Sequence, residues 1–174
     1  QISQVFPNKH NKIGDTVLRV ENLGKVGYFA DVSFDVRRGE ILGLTGLVGA
    51  GRTEVCQAIF GIAPSDTGNI ILNGKKVVIK KPKDAMNLGI GYLAEDRQLQ
   101  GLILSWDIGR NITLPAMKKY SNKGWINLKK EAAIGKELAE KVNVKANSIF
   151  DLVSSLSGGN QQKVVLAKWM LTQP

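Results

Sequence analysis

Residues 46–53 read Gly-Leu-Val-Gly-Ala-Gly-Arg-Thr, which fits the phosphate-binding template G-x-x-x-x-G-K-[ST] except that Arg52 stands where Lys is usual. Each fixed position answers a physical demand. Gly46, Gly49 and Gly51 let the backbone at Leu47, Val48 and Ala50 wrap an anion so that successive N–H groups point at its oxygens. A following helix adds its positive N-terminal end, carrying Glu54 in its first turn, and the Thr53 hydroxyl is placed to ligate Mg2+. Arg52 keeps the charge but not the shape, because a planar fork grips phosphate bidentately where an ammonium enters as a compact point charge. The context strengthens the reading. Residues 41–45 are almost wholly apolar and read as a buried strand after the Arg38-Gly39 turn, and residues 53–60 combine helix formers with an apolar face. The alternative is a glycine-rich strand-to-helix turn that holds no ligand.

The remaining pattern mixes strands and helices. Residues 17–20 and 29–37 alternate as strands do, and Asn73-Gly74 between residues 70–72 and 77–79 predicts a hairpin, since both turn positions tolerate positive φ. Pro82 suits a first helical position, Gly89 a left-handed cap, and residues 90–94 read as another strand. From 95 to 153 the pattern becomes helical. Leu128, Ala132, Leu138, Ala139 and Val142 share one face behind Asn127 as cap, a stripe read as core rather than binding surface. With 174 residues and 43% hydrophobic content there is room for one sizeable core. Residues 1–15 are polar, contain Pro7, lack apolar periodicity and read as a linker into a domain spanning 16–174.

The formal net charge of +9 raises the possibility of a nucleic-acid partner. The basic residues are scattered in pairs, such as Lys75-Lys76 and Lys129-Lys130, with few aromatic residues between them to stack on bases, which favours a phosphate ligand, an anionic membrane surface or plain solubility over nucleic acid. No apolar run reaches the roughly 18 to 20 residues of a membrane span. The single thiol, Cys56, cannot form an internal disulfide, and no signal-peptide pattern is present, which together favour a reducing cytoplasm. The first residue is Gln1 rather than Met, so the native N-terminus is expected upstream. The one histidine, His10, lies in the linker and reads as solvated.

A second glycine motif, Leu156-Ser157-Gly158-Gly159-Asn160-Gln161-Gln162-Lys163, again sets glycines and a hydroxyl before a helix, predicted over 161–171. On its own this motif also reads as a helix capped by Ser157. With the first loop about a hundred residues earlier, the sequence resembles the ABC ATPase family, whose signature begins LSGG and completes a nucleotide site on an opposing domain. The runs GEILGLTGLVGAGRTE, AEDRQLQGL and LSGGNQQK are similar to the second nucleotide-binding domain of importers for ribose, galactose, arabinose and related sugars, a group in which Arg commonly occupies the first loop.

That resemblance, which covers nearly the whole chain from Val17 onward, implies an α/β, ABC-type P-loop NTPase fold. Its parts would be a RecA-like core, an antiparallel β subdomain and a helical subdomain over about 96–163, incomplete at the C-terminus. It implies ATP and Mg2+ as cofactors. Residues 47–54 would hold one nucleotide, while Ser157, Gly158, Gly159, Asn160 and Gln161 would cap another. Tyr28 or Phe29 stacks on adenine, or else is core. Glu95 stands at the position of the family's Gln loop, where it contacts Mg2+ or places water, or else is a surface acid paired with Arg97. The implied partners are a paired nucleotide-binding domain of the same subunit, transmembrane permease subunits touched near residues 102–106, and, indirectly, a periplasmic or extracellular sugar-binding protein. The implied place is peripheral, on the cytoplasmic face of the cell inner membrane. In the family a strand ending in Asp and Glu, and later a His, follow the signature helix. The chain up to Pro174 is therefore expected to bind nucleotide without hydrolysing it, and to leave a gap in its core sheet that lowers stability or promotes self-association. The competing readings are a non-transport ABC ATPase acting on nucleic acid or ribosomes, and an unrelated P-loop kinase or GTPase, which would leave LSGG unexplained.

Overall fold

Alternating residues in the first part of the chain form two long antiparallel strands, β1 (Thr16–Lys25) and β2 (Phe29–Arg37), with Val20 opposite Phe34. The computed structural model describes residues 12–122 and 124–174; His10 and most of the expected linker lie outside them. β3 (Thr67–Leu72) pairs with β1, and β4 (Lys75–Val77) with β3, giving an antiparallel sheet in the order β2-β1-β3-β4. The hairpin expected at Asn73-Gly74 is present, with φ of 48° and 76° at the two turn residues and Ile70 opposite Val77. Val20, Leu23 and Ile70 are buried, and β1 and β3 approach so closely at Gly68 that a Cβ there would press on the Asn22 carbonyl and lie 2.5 Å from Leu23 Cα.

α1 (Arg52–Phe60) follows the glycine loop and ends at Gly61, whose φ of 81° lets its N–H and that of Ile62 return to the carbonyls of Ala58 and Gln57. Pro82 opens the short α2 (Pro82–Asn87), and Gly89 follows it with φ of 80°, as the sequence predicts. The chain divides between Asp84 and Ala85 into two compact units.

The strands expected at 41–45 and 90–94 are not formed: neither run belongs to a sheet. The reason is a missing neighbour. An apolar run becomes a buried strand only when others flank it and satisfy its N–H and C=O groups. None flanks 41–45 among the described residues, so Ile41 is 87% exposed, and Leu42 and Leu44 also face solvent.

The second unit is built on α3 (Ile108–Thr113), α4 (Leu128–Lys141) and α5 (Gly158–Met170) around Ile108, Ile112, Leu138, Val153, Val164 and Val165. Asn127 caps α4 by accepting from Lys130 N, and Leu138 and Ala139 on the expected stripe are buried, although Leu128 at its start is exposed. α3 and α4 touch backbone to backbone at Gly109 and Gly135, where a Cβ on Gly135 would lie 3.1 Å from Gly109 Cα. A two-residue ribbon, β5 (Ser121–Asn122) with β6 (Trp125–Ile126), interrupts the stretch read as helical. α5 begins three residues earlier than expected, at the signature glycines themselves.

Candidate functional site

The first loop leaves the exposed run 41–48 and turns at Gly49 and Gly51, with φ of 82° and 79°. Only glycine adopts such angles without strain, and two in three residues fold the backbone into a concave arc. Gly49 has open space around it, whereas a Cβ on Gly51 would lie 2.9 Å from Tyr28 O and 3.1 Å from Phe29 Cβ. The turn between β1 and β2 therefore backs the loop, and the Tyr28 ring beside it is 59% exposed, open to stacking. Phe29, the other aromatic candidate, presents its Cβ to Gly51.

Leu47 and Val48 are exposed at the crest, Val48 fully so, and Ala50 N closes a turn on Leu47 O at 3.1 Å. Arg52 is exposed and folds back over the loop, its Nη2 reaching Leu47 O at 3.5 Å. This long, weak contact is readily exchanged for a phosphate oxygen, a better acceptor for a guanidinium. Thr53 and Glu54 sit half-buried in the first turn of α1, where backbone N–H groups lack helical partners. Near this loop, partial burial of its sulfur pushes the Cys56 thiol above its ordinary pKa, so it stays protonated at neutral pH.

The loop fits a nucleotide phosphate, because a glycine arc with its backbone N–H groups, a helix N-terminus and one cation suit an anion. The donor set for Mg2+ also fits, in a limited way. Among the described residues there is no cluster of three or more His, Cys, Asp or Glu side chains that would cage a metal. Mg2+ bound through a single hydroxyl plus substrate phosphates needs no such cage, and Thr53 is the residue that would supply the hydroxyl.

The second loop opens α5. Ser157 occupies the N-cap position, but its hydroxyl makes no capping bond to the helix backbone and instead accepts from Asn160 Nδ2 at 3.1 Å. Asn160 is itself fixed, since its Oδ1 accepts from Lys145 N at 2.9 Å. The purely structural reading of Ser157 as a capping side chain is thus not what the fold uses. Ser157 and Gly159 are exposed, so the start of a 13-residue helix faces solvent. Gln161, grouped with these residues by sequence, lies elsewhere: it is 3% exposed, its Oε1 accepts from Arg97 Nε and Gln98 Nε2, and its Nε2 donates to Val153 O.

Glu95 is exposed and engaged in an interaction, and Arg97, its sequence-predicted partner in the surface reading, turns its Nε to Gln161. Asp96 caps a π-helical turn, Arg97–Gly101, by accepting from Gln98 N and Leu99 N. The segment 102–106, expected at a membrane partner, is pinned by a residue that sequence reading missed. Asn111 is fully buried; its Oδ1 accepts from Ile103 N and its Nδ2 donates to the carbonyls of Ile103 and Asp107. The available signal was a lone amide between Ile108 and Ile112 on the apolar face of a helix.

These features define an α/β chain with two exposed, glycine-containing segments at helix N-termini. The family described as ABC transporter matches residues 29–174, and the chain belongs to that family. The putative ribose/galactose/methyl galactoside import ATP-binding protein of Halalkalibacterium halodurans is 44% identical over 174 residues, covering 100% of this chain and 33% of that protein. The ribose import ATP-binding protein of Lactococcus lactis subsp. cremoris is 48% identical over 173 residues, covering 99% of this chain and 35% of that one. The chain thus spans about a third of the length of the curated relatives it matches. Among solved structures, an ATP-binding cassette of an ABC transporter superposes with a TM-score of 0.75 at 21% identity, covering 91% of this chain and 66% of that one. A dimeric cassette bound to ADP and Pi gives 0.71 at 19% identity, covering 90% and 70%.

Proposed function

We propose that this chain is an ATP-binding domain of a bacterial carbohydrate importer, working in a subunit that couples MgATP binding and hydrolysis to sugar uptake. The observation that carries the reading is likeness along nearly the whole of this chain, at 44–48% identity, to about a third of the length of relatives named as ribose or ribose/galactose import ATP-binding proteins. Residues 47–54 hold the phosphates of one nucleotide, Thr53 contributes to its Mg2+, and Tyr28 stacks on the adenine. Ser157, Gly158, Gly159 and Asn160 face a nucleotide carried by a second domain. Arg52 supplies charge, and its fork makes this site one for tight phosphate holding. Glu95 keeps the role that the family resemblance implies, contacting Mg2+ or placing water.

No helix among the described residues is long and apolar enough to cross a membrane. The reading assigns membrane coupling to permease subunits. Residues 102–106, with Leu104 and Trp106 partly exposed and the backbone braced by Asn111, provide the contact with them. A sugar-binding protein outside the membrane acts through the permease, and the subunit sits peripherally on the cytoplasmic face.

The test is the intact subunit, alone and reconstituted with its permease in vesicles. The expected results are micromolar MgATP binding that Arg52→Ala weakens at least tenfold, and hydrolysis that a sugar-loaded binding protein stimulates. Hydrolysis indifferent to permease and sugar would refute the transport assignment.

A further inference from the structure

One stripe of α5 carries residues 158, 161, 165 and 168, three or four apart, and the π-helical turn Arg97–Gly101 lies along it. Arg97 Nη2 sits 2.6 Å from where a Cβ on Gly158 would be, so this position has room for a guanidinium only because it has no side chain. Arg97 Nε and Gln98 Nε2 both donate to Gln161 Oε1, at 3.4 and 3.2 Å. A Cβ on Gly101 would meet Val165 Cγ2 at 3.2 Å, and Lys168 Nζ donates to Gly101 O at 2.9 Å. The stripe is therefore engaged at four successive positions.

Gln161 is the junction. It is buried within the first turn of α5 and, besides holding Arg97 and Gln98, donates to Val153 O at 3.3 Å, the start of the short helical turn Val153–Ser155 that leads into the loop. The Ser157-Gly158-Gly159 loop is thus gripped from the preceding turn, from its own helix and from the segment after Glu95. Loop glycines have little packing of their own, so a precise seat for a phosphate has to come from such outside bracing. π-helical turns are rare and concentrate at functional sites, where the extra residue re-aims a side chain. Here the turn places Arg97 at Gly158 and Gln98 at Gln161.

We infer that Arg97 and Gln161 are positioning residues: through a buried amide junction they set the signature loop in the geometry needed to close on a phosphate, and they tie that geometry to the segment after Glu95. This rests on the function proposed above, in which the loop closes on a nucleotide held by another domain. Loss of the clamp should then leave nucleotide capture by the first loop intact and slow the step that needs the second.

The experiment uses the intact subunit with Gln161→Ala, Arg97→Ala and Arg97→Lys, and Gln162→Ala as an exposed neighbouring control. It reads MgATP affinity, kcat, thermal midpoint and amide hydrogen exchange over residues 157–160. For Gln161→Ala and Arg97→Ala the expectation is a kcat lowered at least tenfold, MgATP affinity within twofold, and exchange in the loop at least tenfold faster. Arg97→Lys should recover little, because a point charge cannot donate along the Gln161 amide while lying flat against Gly158. Gln162→Ala should change none of these.

The clamp is overturned if both alanine variants keep kcat and loop exchange within twofold, or if affinity, kcat and thermal midpoint fall together, which marks ordinary structural damage. Arg97 is only partly buried, so its variants remain informative if Gln161→Ala does not fold. Failure of the functional reading looks different: the unsubstituted subunit would bind no MgATP, while loop exchange would still report on the clamp.

Discussion

Gly49 and Gly51 share one loop and nearly one backbone angle, φ of 82° and 79°, but not one environment, which makes them a matched test of the loop geometry. An alanine at either position meets the left-handed penalty of roughly 1–2 kcal/mol. At Gly49 nothing lies within 4 Å of the added Cβ, so that penalty is the whole cost. At Gly51 the Cβ would sit 2.9 Å from Tyr28 O and 3.1 Å from Phe29 Cβ, and a backbone carbonyl cannot rotate away as a side chain does. Relieving that overlap adds about 1–3 kcal/mol, the usual cost of overpacking. Gly51→Ala should therefore destabilise by about 2–5 kcal/mol and Gly49→Ala by about 1–2 kcal/mol, the sums of those same terms. Urea denaturation followed by far-UV circular dichroism reads the difference, with the m-value checked for constancy so that a midpoint shift reports stability. Because the strain at Gly51 falls on the Tyr28 carbonyl, the near-UV signal of the tyrosines should also change in Gly51→Ala and not in Gly49→Ala. Equal midpoints for the two variants would refute the idea that the β1–β2 turn backs the loop.

Asn111→Leu keeps volume but strips the bonds that satisfy Ile103 N and the carbonyls of Ile103 and Asp107, so a loss of about 2–4 kcal/mol is expected by thermal unfolding, with faster amide exchange at Ile103. Tyr120 is buried and donates to Thr113 O at 2.9 Å, and burial raises its phenol pKa above the ordinary 10.0. A raised folded pKa contributes stability that is full below pH 10 and lost as pH rises through the folded value, so Tyr120→Phe, weaker by about 1 kcal/mol at pH 7, should close on the unsubstituted chain above pH 10 in denaturation series. Lys168 shows the opposite sign. Burial lowers its pKa from 10.5, so the unfolded chain binds more protons between the two values and stability rises with pH through that window; the rise should vanish in Lys168→Met, measured as a difference from the unsubstituted chain at each pH.

What was legible in the sequence was whatever a few neighbouring residues decide by themselves. Alternation over 29–37 gave β2 its bounds, Asn73-Gly74 its hairpin, Asn127 its cap, and the spacing of glycines both candidate phosphate loops. The parts that stayed hidden depend on partners far along the chain. Nothing near Gln161 announces that its amide will meet Arg97, 64 residues away, so a residue grouped by motif with exposed ligands turns out to be a buried junction. Asn111 reads locally as an ordinary helical polar residue until its apolar flanks are noticed and its bonds to Ile103 are seen. The run 41–45 teaches the complementary lesson. Its apolar content suggests a covered strand, yet composition says nothing about what would cover it. A strand's burial is the property of its neighbours, so the reading that placed Ile41 inside fails where none flanks it among the described residues, and Ile41 stands 87% exposed. Local chemistry thus specifies the two glycine loops, while their bracing and their shelter are long-range properties that only the folded chain displays.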